Sequence, residues 1–564
     1  MMREAALALL LLGTILAIPA ILAGTGVGQP ETAQAPPDPE TDVIGWENGV
    51  WYNESIPVDQ TGLERGLTDR EVELLSARTM ARVEELRGLE FEGNVTLEFI
   101  SRQTFKERLR SGTLGEPRNP QVYEAMFAFG EGENTSRAIE RWLGGAVVGY
   151  AAEEGAKNLT IVTRTSSLRA VSASVLAHEF VHVLQHQHFD LSAPRYQRQT
   201  LDGVWAKDGL VEGEASYIDS QYSRQCISNW SCVNAPANWS GAHVPTAPVF
   251  GLLSSQPYAD GGTFVYELRQ AGGWDAVTDA HQRPPTTTEQ IIHLDRDRER
   301  VPLSVSDHST NAWRLTQTDR LGEVGIFAMF YGQKLQAPEG KEVLDRDVFK
   351  RQHRWDVLDS SFEPSAGWGN DRFMAYRSGD RAGYVWTTVW DTERDAREFA
   401  GAYRRALTGM GAWRYGNHTY KLDEGPFADA FYVIRRGTRV KIVNAPTVEA
   451  LSAIDQRVTV EPNPRIERLQ DRLALRNETI AALRDRLAAR NETIEHLRDR
   501  LAARNRTVER LRERLEAKNE SLARLQQRLT ARDDTDVRTP FTPGFVVIAV
   551  LLVAGLLQWR SGDS

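Results

Sequence analysis

Four consecutive stretches, RLALRNETIAALRD, RLAARNETIEHLRD, RLAARNRTVERLRE and RLEAKNESLARLQQ, repeat every fourteen residues near the C-terminus. Each repeat holds two heptads, and a sustained heptad pattern constrains this stretch to one continuous helix with an apolar seam. The a series is unbroken from Ile466 through Leu473, Ile480, Leu487 and onward to Leu529. The d series alternates Leu469, Arg476, Leu483, Arg490, Leu497, Arg504, Leu511, Lys518, Leu525. At 1.5 Å per residue such a helix is about 95 Å long. The breaker EPNP precedes it, so the expected limits are a linker at 458–465, a stalk at 466–532 and a second linker at 533–542. A sequon follows each polar d position, with Asn477, Asn491, Asn505 and Asn519 at e. Carbohydrate there would flank the seam where a cation already interrupts it. The pattern therefore predicts a glycosylated stalk, either loosely self-associated as a coiled coil or solvated as a single helix.

Both ends are apolar. Residues 1–24 read as a signal peptide or an uncleaved N-terminal anchor, followed by a disordered linker at 25–45 rich in Pro and Gln. At the other end, 543–564 combine a short apolar run with a terminal Arg, the layout of a tail that is cut and replaced by an anchor. Further sequons at Asn53, Asn94, Asn134, Asn158, Asn229, Asn238 and Asn417 agree with export to the cell surface. In an exported chain the two cysteines, Cys226 and Cys232, are expected to close a small disulfide loop, the alternative being two free thiols. A net charge of −10 argues against a nucleic-acid partner.

Between these ends the texture is mixed. TDREVELLSARTMARVEELRG opens with Thr68 and Glu71 in a capping-box spacing, and NVTLEFIS and NLTIVTR alternate as strands. A first domain is expected over 46–303 and a smaller α/β unit over 304–457.

Within the first domain lies LAHEFVHVLQHQHF. His178-Glu179-Phe180-Val181-His182 is an HExxH motif. Histidines at i and i+4 share one helical face and can reach one zinc ion, and the glutamate beside the first can act as general base. His186 lies about 12 Å along the axis from His178, too far to share that ion, so His186 and His188 read as supporting residues. A third ligand is needed. GLVEGEAS offers Glu212 and Glu214 on different helix faces. Glu212 is preferred because Ala215 leaves room beside it. Two imidazoles and one carboxylate suit Zn²⁺ better than Ca²⁺ or Mg²⁺.

HExxH followed by a Glu on an E-x-x-A helix resembles the gluzincin metallopeptidases. HEFVHVLQHQHFDL, GLVEGEAS, PPTTTEQIIHLD and SAGWGNDRFMAYR, in that order, resemble a group of exported prokaryotic gluzincin-like proteins over roughly 46–454. Pro543-Gly544-Phe545 with its apolar run resembles the PGF-type sorting signal of haloarchaeal surface proteins. That likeness implies an archaeosortase-type processing enzyme and a membrane or lipid anchor as partners. The implied fold is α+β: a gluzincin-like domain, a smaller α/β unit, a coiled-coil stalk and a sorting tail. The implied activity is hydrolysis of a peptide or protein substrate by a zinc-bound water that Glu179 activates, with His178, His182 and Glu212 as ligands. The alternative is a structural or adhesive glycoprotein keeping the fold without turnover. Tyr217, His293 and Arg372 are candidates, by residue type alone, for stabilising the oxyanion.

Overall fold

In a computed structural model of the chain the described residues are 39–61, 66–110, 120–146, 149–151, 157–163, 171–233, 248–336, 360–361, 363–461 and 464–531. Both terminal apolar runs, Asn238 and the Pro543-Gly544-Phe545 tripeptide lie outside them. Among the described residues no helix is long and apolar enough to cross a membrane. The chain mixes helix and sheet in the α+β manner and divides into two units, 1–463 and 464–564.

In the first unit, strand Thr96–Ser101 runs parallel to Asn158–Thr163, whose other edge pairs antiparallel with Gly149–Ala151. Beside this small sheet lie the helices Asp69–Arg87, Ala173–Phe189, Leu201–Ser228 and Pro248–Gln282. The first starts on the capping box of Thr68 and Glu71 and ends at Gly88 in the left-handed conformation. Helix Ala173–Phe189 is apolar almost all round, with Leu176, Ala177, Phe180, Val181, Val183 and Leu184 each at most 1% exposed, so it is a core helix. The last of the four is two helical segments meeting at Gly272–Gly273.

Gly209 and Gly213 form a notch on helix Leu201–Ser228 into which Gly261 presses. A Cβ on Gly213 would come within 2.4 Å of the Gly261 backbone, and one on Gly261 within 2.2 Å of the Gly209 oxygen. This backbone-to-backbone crossing fixes the helix that bears Glu212 and Glu214. Gly213→Ala is expected to cost about 1–3 kcal/mol or more, read from the denaturant midpoint, because neither backbone can give way.

A seven-stranded antiparallel sheet follows, ordered 314–319, 368–378, 381–390, 439–445, 430–436, 419–421 and 413–414. Its residues alternate between two cores. Phe373, Tyr384, Trp386, Phe431 and Ile442 pack with Phe399 and Tyr403 of helix Glu393–Gly409. Met374, Val385, Tyr432 and Val443 pack with Leu451 and Ile454 of helix Val448–Ile454. The first of these cores continues through Phe327 and Phe330 of helix Gly322–Gln336 to Phe250, Leu253 and Trp205. The core thus crosses 303/304 without a break. Asp371 strengthens this junction by accepting the Leu321 and Gly322 amides at 2.9 and 3.0 Å and the Trp386 indole at 2.9 Å.

Cys226 and Cys232 are joined by a disulfide, their Cα atoms 5.5 Å apart. Asn94, Asn134, Asn158, Asn229 and Asn417 are exposed, and Asn53 is half-buried. Near the N-terminus, Glu84 accepts the Gly45 and Phe91 amides at 3.0 and 2.9 Å beside the buried Glu47. Burial, reinforced by the Glu84 charge, pushes Glu47 up to about 9, and burial pushes Glu84 up to about 7. Both folded values lie above the unfolded one, so the folded state keeps protons that the unfolded chain gives up. The stability these groups contribute is full below about pH 4.5 and declines as pH rises through 7 to 9. Glu47→Gln is expected to flatten that alkaline decline in a melting-temperature profile.

The second unit contains the helix Pro464–Thr530, 67 residues long. Its four sequon asparagines are exposed.

Candidate metal centre

Helix Ala173–Phe189 begins at Ser172, whose side chain accepts the Val175 amide, and ends at Asp190 in the left-handed conformation. On its inner face His178 and His182 stand one turn apart, 4% and 0% exposed. Helix Leu201–Ser228, capped by Thr200, brings up Glu212 at 1% exposure. His178 Nε2, His182 Nε2 and Glu212 Oε2 form a triangle with all three edges at 3.3 Å.

Three ligand atoms bound at about 2.0–2.1 Å with tetrahedral angles stand roughly 3.3 Å apart, so the triangle has the size of one face of a zinc tetrahedron. Among the described residues, the buried Glu212 Oε1, His178 Nδ1 and Glu179 Oε2 are without hydrogen-bond partners. A carboxylate so placed requires a cation. Burial works against charging His182, but Glu212 outweighs it and holds the ring up to about 9. Burial likewise opposes ionising Glu212, yet His182 and His178 hold it well below the ordinary range. The pair thus favours a positive charge beside Glu212, which a proton on the imidazole or a bound divalent ion would supply. The donor set fits zinc on size, charge and chemistry.

The supporting residues set the tautomer. Gln185 Nε2 donates to the Val211 carbonyl at 2.9 Å and to Glu214 Oε2 at 2.7 Å, both pure acceptors. Its Oε1 must therefore face His182 Nδ1, 2.9 Å away, which donates and leaves Nε2 to face Glu212. Gln185→Leu is expected to weaken zinc binding about 10–100-fold in a chelator competition while leaving the three ligands in place.

Glu179 is 2% exposed on the same helix, and burial, partly offset by His182, pushes it up to about 8. The Tyr258 ring stacks on His178 with centroids 5.8 Å apart. Glu214 is not among the ligands: Arg87, His281 and Gln185 take it up, and Gln185 links it to His182. His188 Nε2 bonds the Glu90 carbonyl at 2.7 Å, and burial pushes His186 down to about 4.

The candidates for an oxyanion stabiliser are placed in other surroundings. Tyr217 packs on Trp274 and Tyr266, and Arg372 sits opposite Thr387 in the large sheet. His293 Nε2 lies 2.9 and 3.1 Å from the two Glu323 oxygens. Glu289 joins His293 and Glu323 in a second metal-like cluster, but Arg298 lies 2.7 Å from Glu289 and supplies its counter-charge. Glu124, Glu131 and Asp429 form a third cluster, without an imidazole.

Sequence reasoning missed Gln185, Arg87, His281 and Tyr258. Gln185, the first residue of QHQHF, belongs to no motif, and Arg87, His281 and Tyr258 approach from distant parts of the chain.

Residues 312–455, which contain all seven strands of the large sheet, match the model of a family described as a domain of unknown function (DUF8575). No curated protein and no solved structure matches the chain.

Proposed function

We propose that the chain is a zinc-dependent metallopeptidase of gluzincin type, carried to the cell surface, held there by its C-terminal tail and displayed on a glycosylated helical stalk. The observation that carries this reading is the 3.3 Å triangle of His178, His182 and Glu212 with Glu179 beside it. His178, His182 and Glu212 would hold the ion. When bound, zinc supplies a Lewis acid that polarises a peptide carbonyl and acidifies water. Glu179, whose Oε2 has no hydrogen-bond partner among the described residues, would be kept in its carboxylate form by the charge of a bound cation, and it takes the proton from the attacking water and returns it to the leaving amine. Gln185 keeps His182 in the tautomer that presents Nε2, and Tyr258 holds the His178 ring from its face.

A second reading, a surface protein keeping the metal without turnover, is favoured by one observation. All four site residues are at most 4% exposed, which limits a substrate's access to them.

Metal analysis of the purified chain, with cleavage of an unstructured protein before and after chelation, separates the two. The peptidase reading expects one zinc per chain and cleavage that stops on chelation and returns with zinc. Stoichiometric zinc without cleavage of any offered peptide supports the second reading; absence of zinc overturns the peptidase reading and leaves a surface protein that keeps the fold alone.

A further inference from the structure

The helix Pro464–Thr530 leaves its apolar stripe uncovered, with Leu473 59%, Leu487 62% and Leu501 60% exposed. An apolar seam of this length calls for a covering surface, and its charges select which. The helix holds 17 cations and 11 carboxylates, a net +6; since the whole chain is at −10, the remainder is at −16. Thirteen of the 17 cations occupy the d, e and g positions beside the seam, and no carboxylate does. All 11 carboxylates stand at b and f, on the far side.

A second copy fits this pattern poorly. In a parallel pair, Arg476, Arg490, Arg504 and Lys518 would each meet themselves in the core. Flank pairs would set Arg486 against Asn491, or Thr479 against Arg484, with no carboxylate. In an antiparallel pair e meets e and g meets g, again without an acid. A flat anionic surface fits poorly too. A seven-residue repeat drifts about 20° per heptad on a straight helix, so the stripe winds roughly 180° over nine heptads and leaves any plane. Another helix, supercoiling with the stripe, can follow it throughout.

We infer that the seam is a docking surface for a different chain: an acidic heptad-repeat helix. Its carboxylates fall opposite Arg476, Arg490, Arg504 and Lys518 every fourteen residues, and further acids face the flanking arginines. Heptads with a core cation carry the sequon at e, whereas all five with a core leucine carry Arg at g and three of them also carry Arg484, Arg498 or Arg512 at e. Flank pairing is thus concentrated in the latter, which keeps it clear of carbohydrate. The docking surface is independent of the metal centre.

The test uses the full chain produced without carbohydrate and a synthetic peptide. The peptide copies 464–531 with the thirteen seam cations changed to glutamate and the far-side carboxylates to glutamine. At about 0.1 M salt, where charges act over ~10 Å, the chain alone is expected to sediment as a monomer. It should bind the peptide one to one, more weakly as salt rises, with helix content checked by circular dichroism. The double variant Arg490→Glu and Arg504→Glu should weaken binding about tenfold or more. Self-association of the chain alone would assign the seam to a second copy and overturn the inference. So would equal binding of a peptide with its apolar residues moved to f, or binding to phosphatidylglycerol vesicles but not to the peptide.

Discussion

Replacing Glu179 with glutamine is expected to lower the peptide-hydrolysis rate by about 10²–10⁴-fold while zinc content stays at one per chain. Glutamine keeps the volume and can accept a hydrogen bond, but it cannot take a proton from water or return one to an amine. The three ligand atoms belong to other residues, so their 3.3 Å triangle is untouched. His182→Ala is expected to lose both metal and activity, because it breaks the triangle and leaves Glu212 buried beside a single imidazole. Comparing the two variants separates base from ligand. Metal loss in Glu179→Gln would show that Glu179 holds the ion instead. Unchanged activity in a zinc-loaded Glu179→Gln would remove Glu179 from the chemistry altogether.

Much of the local structure is legible in the sequence, for reasons that differ by element. Thr68 and Glu71 announce a helix start through contacts three residues apart. The helical period alone separates Glu212 from Glu214: two residues apart, they point about 200° away from each other, and the structure gives them different ionic partners, His178 and His182 for one, Arg87 and His281 for the other. The apolar stretches YVWTTVW and AFYVIRRGTRVKIVN form strands of the seven-stranded sheet, and their near-continuous burial reflects a sheet covered on both faces. What the sequence hides is long-range or disguised. Pro257, Gly261-Gly262 and Gly272-Gly273 all fall within residues 248–282, yet only Gly272-Gly273 interrupts the helical backbone. The earlier glycine pair includes Gly261, the close contact with Gly209 and Gly213. Nor does any local pattern predict one core running from Trp205 to Trp386 across the expected 303/304 boundary, because helix Gly322–Gln336 joins the parts only after folding. Arg87 shows the same limit, since its partner lies 127 residues downstream.

That partner, Glu214, is the group whose loss should destabilise the fold most. Glu214 and Arg87 pair with 1% and 2% of their side chains exposed, and Glu214 Oε2 is also 2.7 Å from His281 Nε2 and from Gln185 Nε2. Burial alone would keep its carboxyl neutral, but Arg87 and His281 outweigh that and hold it well below the ordinary range. Arg87 is further enclosed by the Trp274 face, 4.4 Å from its centroid, and donates to Thr278 at 3.2 Å. Glu214→Ala strands a guanidinium in the core and frees Gln185 to turn, so it should cost about 3–5 kcal/mol and also weaken zinc binding. The double variant Arg87→Met with Glu214→Met removes both charges and restores apolar volume, so its cost should fall well below the sum of the single variants. Denaturant midpoints of the four chains measure this coupling. Additive costs would mean that the two charges do not depend on each other. If Glu214→Ala lost stability but kept full zinc affinity, Gln185 would be held by Val211 alone, and the network would serve the fold without serving the metal.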